Sequence, residues 1–341
     1  MSITYHKLSD QDLDITEAHE LELEVLEALS RNPKQLPSRM FYDDRGSRLY
    51  QQITELEEYY PTACEFEILR KHRATIGRYA GKGPFNLIEL GAGDGRKTTV
   101  LLQYFLEENC DFQYVPIDIS EGAMQALTAS MDRQFAAADL RIQGIIAEYF
   151  QALRWLIKQN NARNIVIFLG SSIGNFDMPG ARRFLRHLWY ALNPDDLVMI
   201  GFDLKKDPSI LYRAYNDAKG VTRAFNLNLL ARINREMHAD FNLEHFTHEG
   251  HYDIDSGAMV SYLISTRAQV VNIRTLNKAF RFKAWEGIHT EFSYKYLPEE
   301  VENLAANTGF TVLEQMHDSR EYFVDSLWQV EKNMAPPDDP A

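Results

Sequence analysis

Apolar residues recur along this chain with two different periods. Between residues 10 and 31, Leu13, Leu21, Leu23, Val25, Leu26 and Leu29 stand at helical spacing among acids, which predicts an amphipathic helix. Residues 32–47, rich in Asn, Pro, Asp and Gly, read as a turn-rich loop. Two short helices are expected next, broken at Tyr59-Tyr60-Pro61, and Thr62 is expected to cap a helix running to about residue 79. From 85 to about 202 the pattern changes. Short apolar runs at 85–90, 113–118, 141–147, 164–169 and 196–202 alternate with helical stretches at 97–108, 120–134, 148–158 and 180–192. Strands separated by helices predict right-handed crossovers and a parallel sheet, with Ser120 placed to cap its helix.

Helical spacing returns over 208–237. Short strands are then expected at 257–267, 269–274, 280–284 and 288–294, a helix at 297–307, and an antiparallel pair at 309–315 and 322–330. The organisation that follows is an α/β core over 81–207 and 296–331. An N-terminal helical layer over 1–80 and an inserted mixed segment over 208–295 would form a second, substrate-binding lobe. The Pro- and Asp-rich stretch 332–341 is expected to be a disordered tail.

Composition narrows the partners. A net charge of −13 over 341 residues argues against a nucleic-acid partner, because phosphate binding needs concentrated Lys and Arg, and equally against an anionic membrane surface. No apolar run approaches the ~20 residues that span a bilayer, and Met1-Ser2-Ile3-Thr4-Tyr5-His6 has no apolar signal core, so a cytoplasmic protein is expected. Cys64 and Cys110 have no metal-type or disulfide-type spacing and read as ordinary thiols. His245, His248 and His251 lack a completing cysteine or carboxylate pair, so no metal is expected there and the trio reads as solvated or locally bonded. No G-x-S-x-G elbow is present to support hydrolase chemistry.

The chemistry concentrates at Glu89-Leu90-Gly91-Ala92-Gly93-Asp94-Gly95, between an apolar run and a helix. Glycines let a backbone turn tightly and approach a ligand closely. The spacing is not that of the dinucleotide fingerprint, since Arg96-Lys97 occupy the place of its third glycine. Glu89, and Asp118 at the end of the next apolar run, suit ribose hydroxyls and a charged amino acid moiety. The pattern therefore points to S-adenosylmethionine (SAM) and methyl transfer. A plain tight turn is the alternative. The fourth apolar run ends in Gly170-Ser171-Ser172-Ile173-Gly174-Asn175, at the strand end where ligands of such sheets bind. Asn175 either holds a substrate carboxylate or amine, or caps the helix near Pro179.

Taken together, these stretches resemble the histidine Nα-methyltransferase family, SAM-dependent enzymes that make hercynine on the way to ergothioneine. The matching stretches are Leu36-Pro37, Phe41-Tyr42-Asp43, Gly46-Ser47, Glu58-Tyr59-Tyr60-Pro61-Thr62, Glu89-Leu90-Gly91, Lys97-Thr98, Pro116-Ile117-Asp118 and Phe168 to Asn175. They continue with Arg213-Ala214-Tyr215, Gly220-Val221-Thr222, Ala224-Phe225-Asn226 and Glu291-Phe292-Ser293-Tyr294-Lys295, so that the likeness covers about residues 30–330. The resemblance implies a Rossmann-like methyltransferase core with a second substrate lobe, acting as a monomer on L-histidine, with three successive transfers. It implies SAM contacts at Tyr59, Gly91, Lys97, Asp118 and Gly170, and at Glu148-Tyr149, where the family often has Asp-Phe. It implies that Asn175 and Tyr215 hold the substrate carboxylate, that Tyr42 lies near the amine, and that Glu291 and Ser293 read the imidazole. By residue chemistry alone, Glu291 reads rather as a solvated strand face and Tyr215 as a helix-face core residue; the joint pattern reverses that. Tyr42, Tyr59 and Tyr60 are candidates to face a trimethylammonium product, or packing aromatics. Ser261 stands where a well-known branch of the family has methionine, which leaves open another aromatic amino acid or amine as acceptor. A non-catalytic SAM-binding protein is the remaining alternative.

Overall fold

The computed structural model describes residues 1–8, 17–159 and 162–332. Leu13 and the Pro-rich tail lie outside these. The chain divides into two compact units: Met1–Ser9, Pro61–Lys205 and Lys295–Ala341 form one, and Asp10–Tyr60 with Lys206–Tyr294 form the other.

The first unit is built on an eight-stranded sheet. Its strands are β1 (Ser2–Lys7), β3 (Phe85–Leu90), β4 (Phe112–Asp118), β5 (Arg141–Ile146), β6 (Arg163–Phe168), β7 (Leu197–Asp203), β13 (Phe310–His317) and β14 (Phe323–Val330), in the order β1-β5-β4-β3-β6-β7-β14-β13. All neighbours are parallel except across β14, which runs antiparallel to both β7 and β13. β3 and β7 are buried along their whole length. That is why they read in the sequence as continuous apolar runs, not as alternation. The connections are α4 (Thr99–Glu107), α5 (Glu121–Phe135), α6 (Tyr149–Ile157) and α7 (Met178–Ala191), with α10 (Pro298–Ala306) before β13. Ser120 caps α5 by accepting from the Ala123 N–H, as expected.

Two elements fall differently from the expected domain bounds. β1 adds to the parallel sheet beside β5, although its Ser-Ile-Thr-Tyr-His-Lys composition is polar and largely exposed; an edge strand needs no apolar run. α3 (Tyr60–Ala80) begins before Thr62, with Pro61 in its first turn, where the missing N–H is no loss. From Pro61 it belongs to the core unit: Tyr79 hydroxyl donates to the Leu313 carbonyl, and Arg163 donates to the Tyr79 carbonyl at 2.7 Å.

The second unit holds α1 (Glu17–Ser30), α2 (Asp44–Thr54), α8 (Pro208–Tyr215) and α9 (Val221–Met237). Its four-stranded sheet runs β2-β12-β9-β8, with β2 (Lys34–Gln35), β8 (Phe246–Asp253), β9 (Ala258–Ser265) and β12 (Glu286–Tyr294). A separate hairpin is β10 (Gln269–Ile273) with β11 (Lys278–Phe282). The expected loop at 32–47 instead contains β2, a 3-10 turn at Ser38–Phe41 and the start of α2, a single helix in place of two. β8 carries His248 and His251 and was not expected as a strand. Its Thr-His-Glu-Gly-His run has too few apolar residues to signal one. One apolar core closes this unit: Val25 and Leu29 of α1, Phe41, Phe225, Leu229 and Ile233 of α9, and Phe246, Leu263 and Ile288 of the sheet.

Candidate active site

In the core unit the glycine-rich turn follows β3 directly. Gly91, Gly93 and Gly95 have φ of +69°, +54° and +67°, the left-handed region that glycine enters without strain. At two of them a Cβ would also crowd a neighbouring side chain. A Cβ on Gly91 would lie 2.8 Å from the Tyr149 hydroxyl, and one on Gly95 would lie 2.3 Å from Leu127 Cδ1. The turn is therefore shaped both by backbone angle and by close approach, which is what a cofactor cradle needs.

Asp118 ends β4, the neighbour of β3, and its Oδ1 accepts from the Ser120 N–H at 2.9 Å; burial pushes its carboxyl up from the ordinary range. Glu148 caps α6, its Oε2 accepting from the Phe150 and Gln151 N–H groups at 2.8 and 3.2 Å. Tyr149 follows, and burial holds its phenol protonated. Gly91, Asp118 and Tyr149 thus converge where β3, β4 and the start of α6 end, the edge at which nucleotides bind such sheets.

Glu89 behaves otherwise than its position suggested. It is buried, and its oxygens take the Thr98 hydroxyl at 2.6 Å and the Tyr114 hydroxyl. Burial raises its pKa to about 7. It ties the turn to α4 and β4 and is not presented to a ribose. Lys97 is likewise engaged, in an ion pair with Glu65 of α3. Glu65 is fully buried, and its other oxygen accepts from the Gly170 N–H at 2.8 Å. Sequence reasoning passed over Glu65. The available signal was an acid inside an otherwise apolar helix stripe of Cys64, Ile68, Leu69 and Ile76.

After β6 the chain enters a left-handed residue, Ser171 (φ +57°), and a 3-10 turn over Ser172–Asn175. Ser171 Oγ accepts from the Asp203 N–H at 3.0 Å, which fixes this turn against the end of β7. The cap of α7 is Asp177, accepting from the Gly180 N–H at 2.7 Å, so the capping alternative for Asn175 falls away. A cavity of about 390 Å³ in this unit, bordered by Leu204, Lys205, Tyr296 and His317 among others, holds none of the residues expected to bind cofactor.

In the second unit the remaining candidates gather in two groups. The first is aromatic. Tyr42 lies edge-on to Tyr50 (5.7 Å between ring centroids) and to Phe225 (6.0 Å), and Phe225 stacks on Phe41 at 4.5 Å. Tyr59, expected on the cofactor, belongs to this group: desolvation and the nearby Tyr50, Tyr215 and Tyr42 raise its pKa well above the ordinary phenol value. The local cause is Asp43. It caps α2 by accepting from the Gly46 N–H at 2.6 Å, and it holds Asn228 and Arg235 of α9 at 2.8 and 2.6 Å. Gly46 is obligatory, since a Cβ there would fall 1.6 Å from the Phe41 carbonyl oxygen. The Phe41-Tyr42-Asp43 and Gly46-Ser47 stretches thus build the bend that presents Tyr42.

The second group lies on the sheet. Glu291 pairs with Ser261 across β12 and β9, and Ser293 pairs with Met259. Glu291 and Ser293 are two apart and share a face, and directly opposed residues of an antiparallel pair share a face too. The Tyr215 hydroxyl donates to Ser293 Oγ at 2.6 Å. Tyr215 reaches this face because α8 ends over Gly250 of β8, where a Cβ would lie 3.2 Å from the Tyr215 Cβ; Asn216 clamps the Gly250 carbonyl at 2.8 Å and its N–H at 3.1 Å. A bulge in β12 between His289 and Glu291 resets the register, and the Thr290 hydroxyl inside it donates to Asn226 Oδ1 of α9 at 2.9 Å. Tyr215, Ser261, Glu291 and Ser293 are therefore assembled on one face by register and by a helix end.

The histidine trio does not act together. His245 contacts Asn242, His248 is buried, and His251 stacks on Tyr262 at 5.7 Å. Among the described residues no group of three or more His, Cys, Asp or Glu could hold a metal ion. None of the described helices is long and apolar enough to cross a membrane.

A family model described as histidine-specific methyltransferase, SAM-dependent, matches residues 21–330. The chain belongs to this family. A histidine N-alpha-methyltransferase of Mycolicibacterium smegmatis is 37% identical over 300 residues, covering 88% of this chain and 91% of the relative. Ergothioneine biosynthesis protein 1 of Schizosaccharomyces pombe is 32% identical; the match takes in 85% of this chain but 39% of that longer protein. A 4-dimethylallyltryptophan N-methyltransferase of Epichloe festucae is 25% identical over 84% of this chain and 88% of the relative. Family membership makes this chain a SAM-dependent methyltransferase, in line with the glycine turn, Asp118 and the parallel sheet.

Proposed function

We propose that this protein transfers methyl groups from SAM to the α-amine of L-histidine, three times in succession, giving hercynine. The observation that carries the substrate is the polar face of the second unit. Glu291 accepts from an imidazole N–H, and the Tyr215–Ser293 hydroxyl pair and Ser261 supply the remaining donors and acceptors. In the core unit, Gly91, Lys97, Asp118, Glu148, Tyr149 and Gly170 are assigned to the methyl donor and Asn175 to the substrate's polar end.

SAM brings an activated methyl on a sulfonium, so the protein's task is alignment, which in good cases is worth on the order of 7–11 kcal/mol. The α-amine must first lose its proton. Tyr59 is an unsuitable base, since its phenol is held protonated; it serves as a hydrogen-bonding partner. Desolvation among Tyr42, Tyr50, Tyr59 and Phe225 favours the neutral amine. The same ring faces suit the trimethylammonium product by cation–π attraction.

Mass spectrometry of L-histidine, tryptophan, tyrosine and histamine incubated with the protein and SAM tests this. Trimethylated histidine with unmodified histamine is expected. Product from tryptophan or tyrosine with none from histidine would overturn the substrate assignment while keeping the chemistry. That second reading has one observation in its favour: buried Ser261 leaves beside Glu291 a smaller side chain than methionine.

A further inference from the structure

Glu65 and Asp325 are two acids buried in the core unit, both fully shielded from solvent. Asp325 stands on β14 opposite Gly201 of β7. Gly201 has a packing reason to be glycine: a Cβ there would lie 2.5 Å from Glu65 Oε1. The missing side chain opens a niche in the sheet face, and the Glu65 carboxyl fills it, within hydrogen-bonding reach of Asp325. Lys97 and the Gly170 N–H satisfy Glu65 from the other side. Neither oxygen of Asp325 meets a donor among the described residues. What it meets is another acceptor. Two ionised carboxylates cannot share a dry niche against a single ammonium, whereas one proton between them turns repulsion into a hydrogen bond. The next acid along β7, Asp203, is no competitor for Lys97, being bound to Lys295 at 2.8 Å.

We propose that Glu65 and Asp325 form a carboxyl pair sharing one proton, and that this pair positions Lys97 and the Gly170 amide for the methyl donor. Asp325 acts as the neutral acid and Glu65 as the anion. Burial and the Glu65 charge both push the Asp325 carboxyl upward, in keeping with this. The inference rests on the reading of Lys97 and Gly170 as donor contacts. Glu65 is a positioning residue: it acts through its two partners and not on the reacting atoms.

The test is S-adenosylhomocysteine affinity by calorimetry, with kcat and KM for SAM, on the full chain and on Glu65→Gln, Asp325→Asn and Lys97→Met. Glu65→Gln is expected to weaken binding about tenfold or more, as loss of charge-assisted hydrogen bonds does, and to raise KM with kcat little changed. Asp325→Asn, a neutral isostere with a donor, should stay within about threefold of the parent. The infrared carbonyl band of protonated carboxylic acids, to which Glu89 also contributes at neutral pH, should lose one component in Asp325→Asn relative to the parent. Parent-like binding by Glu65→Gln overturns the positioning role, and a carbonyl band unchanged between the parent and Asp325→Asn overturns the shared proton. Weakened binding by Lys97→Met alongside a parent-like Glu65→Gln would sink this inference alone. Parent-like binding by both would sink the donor-contact reading with it.

Discussion

The two units carry their candidate chemistry on opposite kinds of sheet. In the core, β3 and β7 are buried throughout, so no mid-strand position of these two is open to a ligand, and the candidate groups stand at strand ends and in the turns beyond them: Gly91, Asp118, Gly170, Asn175. In the second unit β8, β9 and β12 pair antiparallel, with the two-residue β2 running parallel beside β12, and the candidate groups sit within the strands: Ser261 on β9, Glu291 and Ser293 on β12. A parallel sheet covered on both faces displaces function to its edge, where backbone approach is what matters. An antiparallel sheet with one polar face holds function in side chains, fixed by register. The first arrangement suits a cofactor shared by many enzymes, and the second suits recognition of one substrate.

Glu291→Ala is the strongest way to break this comparison. If side chains on β12 carry substrate recognition, kcat/KM for histidine should fall on the order of a thousandfold, about 4 kcal/mol, because a substrate N–H would be left unpaired. The affinity for S-adenosylhomocysteine, read by calorimetry, should stay at the parent value. A parallel loss of both would mean that the strand face and the strand ends are not separate in function.

The two units should also respond to pH in opposite senses. In the core, burial raises Glu89 to about 7, and it raises Asp118, Asp196 and Asp325 as well. A carboxyl whose folded pKa lies above its unfolded value stabilises the fold below the unfolded pKa and loses that contribution as pH rises through the folded one. For Glu89 the window is 4.5 to about 7, and about 3 kcal/mol of core stability should disappear across it. His72, lowered by burial, runs the other way. In the second unit His248 is lowered to about 4 by burial, and Asp43 and Asp217 are held below their ordinary range. These groups contribute fully above their unfolded values and lose that contribution in acid, His248 over 6.5 down to about 4, again about 3 kcal/mol. Amide hydrogen exchange at pH 5 and pH 7.5, corrected for intrinsic rates, separates the units. Core protection should drop with rising pH and second-unit protection should rise. Glu89→Gln should flatten the core response; an unchanged slope would remove Glu89 as its source.

What the sequence made legible follows the same division. The buried runs of β3, β4, β6 and β7 and the capped α5 announce themselves, because full burial writes a continuous apolar signal and a cap writes a serine. β1 and β8 do not, since an exposed edge and a His-rich strand carry no period. The glycine turn was readable from its strand-turn-helix setting, but Glu89 looked like a ligand until Thr98 and Tyr114 were seen to occupy it. On β12, the Glu-Phe-Ser stretch is visible in one dimension. Its pairing with Ser261 depends on a bulge at Thr290, and its contact with Tyr215 depends on Gly250, neither of which residue spacing encodes. Glu65 was hidden for a related reason: a buried acid is explained by Lys97, Gly170 and Gly201, three partners distant in the chain.

Tyr215→Phe is the smallest of these changes and the sharpest. It keeps the ring that packs over Gly250 and removes the hydroxyl that donates to Ser293. A neutral hydrogen bond of this kind is worth about 1 kcal/mol, so a fall in histidine kcat/KM of roughly fivefold is expected, carried by KM. Ser293→Ala should cost a similar amount, and the double variant should cost clearly less than the sum, because either change already breaks the bond they share. Strict additivity would mean that the two hydroxyls meet the substrate independently. The sheet face would then hold two separate readers, and the register argument would reduce to placing Glu291 alone.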